Sequence, residues 1–107
     1  MLYVVFVAID RDRADAWTTW MREAHVPDVL ATGCFADALM LRDEAADTPE
    51  RLGWRFVYRA HDADALARYQ ANYAAALQAD HTDRFAGTFD ARRELLPVVE
   101  RFTPPTS

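Results

Sequence analysis

The segment Leu2-Tyr3-Val4-Val5-Phe6-Val7-Ala8-Ile9 constrains this chain more than any other. It is short, β-branched and aromatic, and it reads as a strand. Both of its alternating faces are apolar: Leu2, Val4, Phe6 and Ala8 point one way, and Tyr3, Val5, Val7 and Ile9 the other. A strand of that kind needs cover on both sides of its sheet. The run is too short to cross a bilayer, and no positive stretch precedes it as in a secretory leader, so a soluble, cytoplasmic protein is expected.

The remaining sequence alternates helix and strand patterns. Asp12 is a candidate N-cap, and Ala14, Trp17, Trp20, Met21 and Ala24 recur at spacings of three and four, one apolar helical face. Pro27 is expected to end that helix, because the residue before a proline is driven out of helical geometry. Asp28 to Thr32 reads as one further turn closed by Gly33. Cys34 to Arg42 is a second strand, Asp43 to Arg51 a polar loop, and Leu52 to Ala60 a third strand. In the third, Trp54, Phe56 and Tyr58 oppose Arg55, Val57 and Arg59. Asp62 starts a second helix whose apolar face carries Leu66, Tyr69, Tyr73 and Leu77. A short polar segment with His81, Arg84 and Phe85 follows, and Thr88 to Val99 is the fourth strand. One domain is expected over residues 1–100, with a frayed tail over 101–107 that contains two prolines.

The order is βαββαβ, an α+β, ferredoxin-like arrangement: a four-stranded antiparallel sheet with two helices on one face. The three glycines fall at strand boundaries, which leaves no glycine-rich loop to cradle a phosphate. Two helices cover one sheet face only, yet the first strand is apolar on both. The uncovered face therefore implies a partner, and a second copy related by two-fold symmetry is the simplest one. A homodimer with sheets packed face to face is expected. Arg55 and Arg59 would lie on that face, with Asp37, Asp90 or Glu94 as partners.

Charge limits the other partners. The 12 basic residues, all arginine, are outweighed by 17 acidic ones, for a net charge of -5 without a basic cluster. That balance disfavours nucleic acid, whose affinity comes mainly from phosphate contacts, and anionic membrane surfaces. Cys34 is the only cysteine, so no intrachain disulfide can form and a reducing compartment is expected.

The stretch Trp20-Met21-Arg22-Glu23-Ala24-His25-Val26-Pro27-Asp28-Val29-Leu30-Ala31-Thr32-Gly33-Cys34-Phe35 resembles the signature of the domain-of-unknown-function family 4286. The resemblance extends over nearly the whole chain, through the Tyr69 helix and the His81–Phe85 segment. The family carries no assigned activity. Its likeness to the dimeric α+β barrel superfamily implies a dimer. That superfamily holds cofactor-free monooxygenases, haem-degrading enzymes, isomerases and ligand-binding modules, so the fold alone does not select a chemistry.

His25 is the sharpest candidate. An imidazole with a carboxylate nearby, here Asp28, is suited to general-base work near neutral pH. A histidine closing a helix also interacts well with the last carbonyls and the helix dipole, which gives His25 a structural reading. His81 and Arg84 would present an imidazole and a guanidinium to one cavity, or else form a solvated helix end laced with weak ion pairs. Trp20, Tyr58 and Tyr69 are candidate walls of a ligand cavity between sheet and helices, or simply core. His25, His61, His81 and Cys34 show no metal-ligand spacing, so no metal is expected, and no cofactor either. Two functions remain open at this point. One is a binding or structural module; the other is a cofactor-independent enzyme, monooxygenase- or isomerase-like, acting on a small apolar or aromatic molecule with His25 as base.

Overall fold

The computed structural model describes residues 1–106; Ser107, the last residue of the expected tail, lies outside them. The strands are β1 (Leu2–Asp10), β2 (Phe35–Arg42), β3 (Arg51–Ala60) and β4 (Phe89–Leu96). They form one sheet in the order β2-β3-β1-β4, with every neighbouring pair antiparallel. The helices are α1 (Ala14–Trp20), α2 (Val26–Ala31), α3 (Ala63–Asn72) and α4 (Ala74–Phe85). This is the ferredoxin-like split arrangement. β1 lies in the middle of the sheet, as its two apolar faces require.

The inner face of the sheet packs on the helices. Tyr3, Val7 and Ile9 of β1 and Phe56 and Tyr58 of β3 are buried there with Trp17, Met21, Val29, Leu66, Tyr69 and Phe85. On the outer face the ladder puts Val4 between Val57 and Glu94, and Phe6 between Arg55 and Arg92. The two guanidinium groups lie over the Phe6 ring at 4.5 and 3.6 Å. Cations over an aromatic face cover apolar surface while keeping their heads wet. Arg59 pairs with Asp37 at 2.6 Å, as the sequence suggested, whereas Arg55 pairs with Asp43 of the β2–β3 loop at 3.0 Å. Asp90 and Glu94 are taken instead by Arg51 and Arg92.

Several local expectations are corrected. Asp12 caps nothing: it lies within a 3₁₀ turn (Arg11–Arg13) that leads directly into α1. Pro27 does not end the first helix. Backbone geometry stays right-handed helical from α1 into α2 through a π turn, Met21–His25, in which the Val26 N–H bonds the Met21 carbonyl five residues back. Pro27 then occupies the first turn of α2, where a missing N–H costs nothing. The second helix is broken at Tyr73, with φ -127°, and then continues to Phe85, so the polar segment with His81 and Arg84 belongs to α4. Asp62 does cap α3, its carboxylate accepting from Ala65 N at 2.7 Å. Gly33, at φ +77°, ends α2 in the left-handed conformation expected of a helix-closing glycine. Beyond Leu96 the described residues have no regular structure.

Candidate functional site

A cavity of about 30 Å³ lies between the inner sheet face and the helices. The π turn places His25 in its wall, and α4 contributes His81 and Gln78. Tyr3, Tyr58 and Tyr69 close another side, and Arg93 reaches it from β4. Its size admits about two water molecules, so it does not accommodate an aromatic ring as it stands.

The two histidines are close, with ring centroids 5.7 Å apart and ring planes inclined at 63°. His81 is 6% exposed. Its Nε2 accepts a hydrogen bond from Trp17 Nε1 at 2.9 Å. An indole N–H can only donate, so neutral His81 carries its proton on Nδ1. Burial pushes the His81 pKa down to about 4, and His25 and Arg93 add to the effect. Phe89 packs edge-on to the same ring at 4.3 Å. His81 is thus a neutral, oriented donor at pH 7.

His25 is different. Its Nδ1 is buried and has no hydrogen-bond partner. Burial lowers its pKa, while the charges of Asp80 and Asp28 oppose that shift and Arg93 assists it. Trp20 packs on the His25 ring at 5.1 Å and on the His81 ring at 5.8 Å. A buried nitrogen without a partner is uncommon, because each such group carries a desolvation cost.

The remaining candidates separate cleanly. Tyr58 and Tyr69 line the cavity, and burial raises the pKa of both phenols, which therefore stay protonated. Trp20 does not line it but packs behind the histidine pair. Asp28 is exposed and acts on His25 only as a nearby charge, not as a hydrogen-bonded orienter. Arg84, expected beside His81 in a cavity, instead lies over the outer face of Trp20 at 5.2 Å and pairs with Asp80 at 3.4 Å. It and His81 are three residues apart on α4, and one faces solvent while the other faces the core.

Two polar residues of the cavity, Gln78 and Arg93, escaped the sequence reading. Both had a signal. Arg93 alternates with Phe89 and Ala91 on the inner face of β4, and Gln78 lies one helical turn before His81. Among the described residues no cluster of three or more metal-ligating side chains occurs. No helix of the described residues is long and apolar enough to cross a membrane.

Solved structures share this fold. A dimeric ferredoxin-like protein from an uncultured marine organism aligns with a TM-score of 0.63 at 10% identity, covering 96% of this chain and 98% of that one. HapK from Hahella chejuensis aligns with a TM-score of 0.62 at 14% identity, covering 98% and 100%. SnoaB from Streptomyces nogalater, a cofactor-independent oxygenase, aligns with a TM-score of 0.59 at 14% identity, covering 96% and 97%. At these identities the likeness establishes architecture, not chemistry. No curated protein matches the chain. The family model described as "Domain of unknown function (DUF4286)" matches residues 1–99, and the chain belongs to that family.

Proposed function

We propose that this protein is a homodimeric small-molecule-binding module whose site is the inner cavity, with His25 as a hydrogen-bonding group. The observation that carries this reading is the partnerless, buried Nδ1 of His25 in the cavity wall. A structural histidine would be satisfied by a neighbour, as His81 is by Trp17. A neutral imidazole nitrogen kept free beside a cavity is what a ligand contact or a general base requires. The likeness to a cofactor-independent oxygenase is compatible with such a base acting unaided.

The test uses NMR of the histidine rings during titration with a panel of small alcohols, amides and carboxylates. Saturable shifts of His25 and His81, with the His81 shift lost in His25→Phe, support a binding site. A panel that moves neither ring in the folded protein overturns it. A second reading, a purely structural dimerisation domain, is favoured by the small size of the cavity. It is the reading left standing by that negative result.

The dimer rests on the outer sheet face. Leu39 at its β2 edge is 60% exposed, and the Leu2, Val4, Phe6 and Val57 side continues from it across the ladder. Fold relatives that are dimeric point the same way. Sedimentation should give twice the chain mass, and Leu39→Asp should shift it to a monomer; a wild-type monomer at micromolar concentration refutes the dimer. The free, buried Cys34 supports a cytoplasmic location, a reducing compartment in which no disulfide is needed.

A further inference from the structure

We infer that the ligand of the inner cavity is a small oxyanion, a carboxylate of a few heavy atoms, held by Arg93 and the neutral donors around it. This rests on the reading of the cavity as the site and adds the charge class of what enters it.

The lining has a one-sided chemistry. None of its residues is acidic, and Arg93 is its only permanent charge. Its neighbour Arg92 pairs with Glu94 at 2.7 Å, and Arg42, Arg51, Arg55, Arg59 and Arg84 also have carboxylate partners. Arg93, on the opposite face of β4 from Arg92, has none among the described residues. Its charge is felt by His25, His81 and Tyr69 from an exposed position in the lining, against the charges of Asp80 and Asp28, which lie outside the lining. A guanidinium without a carboxylate, close to polar groups, is a recognition element for planar oxyanions.

The other polar groups have the matching sense. The protonated phenols of Tyr58 and Tyr69 and the Gln78 amide offer donors, and His81 has its own proton fixed on Nδ1 by the Trp17 contact. His25 joins them in its Nδ1–H tautomer, and donors in excess over acceptors, around one cation, suit an anion and penalise a cation or an apolar molecule.

The experiment titrates acetate and its neutral isostere acetamide into the full-length protein in chloride-free buffer at pH 7, following the His25 and His81 ring signals. Acetate should shift both saturably while acetamide does not. Arg93→Gln, a change at an exposed edge-strand position that the fold should tolerate, should weaken acetate by about tenfold to a hundredfold. Arg93→Lys should recover part of that loss. Equal response to acetate and acetamide overturns the anion assignment while leaving the cavity as a site. Unchanged acetate affinity in Arg93→Gln overturns it as well. Silence toward both probes removes the site together with its ligand class.

Discussion

Acid should destabilise this protein through His81 well before its carboxylates respond. In the folded chain the His81 pKa is pushed down to about 4, chiefly by burial, with His25 and Arg93 helping and Asp80 opposing. In the unfolded chain it returns to 6.5. Between those values the unfolded state binds the additional proton, so stability rises with pH across the window. The contribution is complete above pH 6.5 and is lost as pH falls toward 4. At about 1.4 kcal/mol per pH unit, that gap amounts to about 3 kcal/mol, a large fraction of the 5–15 kcal/mol typical of a domain. His25, also lowered by burial, acts in the same direction. Asp47, which Arg42 and the Gly53 N–H hold down at about 2, matters only below 3.8. Urea unfolding at fixed protein concentration should therefore show a midpoint lower by about 1–3 M at pH 4.5 than at pH 7. His81→Gln keeps an acceptor for the Trp17 N–H but cannot titrate, so it should lose most of that pH slope whatever its stability at pH 7. If the wild-type and His81→Gln profiles run parallel between pH 4 and 6.5, the reasoning fails.

Further outcomes can be checked one residue at a time. Trp17→Phe removes the indole donor, leaves His81 Nε2 unpaired and should cost about 1–3 kcal/mol, read from urea unfolding. ¹⁵N spectra should also show His81 changing from one tautomer to a mixture; a wild-type His81 protonated on Nε2 would contradict the contact. Asp62→Ala deletes the acceptor of the Ala65 N–H and should lower stability by about 1 kcal/mol, with Asp62→Asn restoring most of it. Gly53→Ala places a Cβ 2.5 Å from the Asp43 carbonyl oxygen and 2.7 Å from Ala46 Cβ, so the β2–β3 loop must move. A loss of about 1–3 kcal/mol in thermal melts is expected, and no loss would mean that the loop yields freely.

The fold was legible because its strands announce their environment. The two-faced apolar run of β1 demanded a central position, and β1 occupies one between β3 and β4. Trp54, Phe56 and Tyr58 against Arg55, Val57 and Arg59 assigned the two faces of β3 without ambiguity. The site was only half legible, for a physical reason: a polar residue at a core position breaks the pattern used to find the core. His81 continues the buried stripe of Ala74 and is continued by Phe85, at helical spacing, but its polarity makes the stretch read as a polar segment beyond the helix. Arg93 was missed in the same way, as a charge on the inner face of a strand that is otherwise Phe89 and Ala91 there.

The π turn was hidden for a different reason, and it governs where His25 points. Trp17 and Val29 are both buried, at 0% and 1% exposure, and are twelve residues apart. At 3.6 residues per turn, their directions would differ by about 120° in an unbroken α-helix, and both could not face the same sheet. A wider turn rotates less per residue, and one placed between them brings Val29 back toward the core. The same widening sets Pro27 at the start of a fresh α-helical turn, where it lacks nothing, so the proline marks the phase change rather than the helix end. His25 is the last residue of that turn and comes round with Val29, which carries its ring to His81 and into the cavity wall. A regular helix through Pro27 would misphase Val29 and His25 together. The core residue and the candidate base are therefore held by one backbone feature, a π turn of the kind found frequently at functional sites.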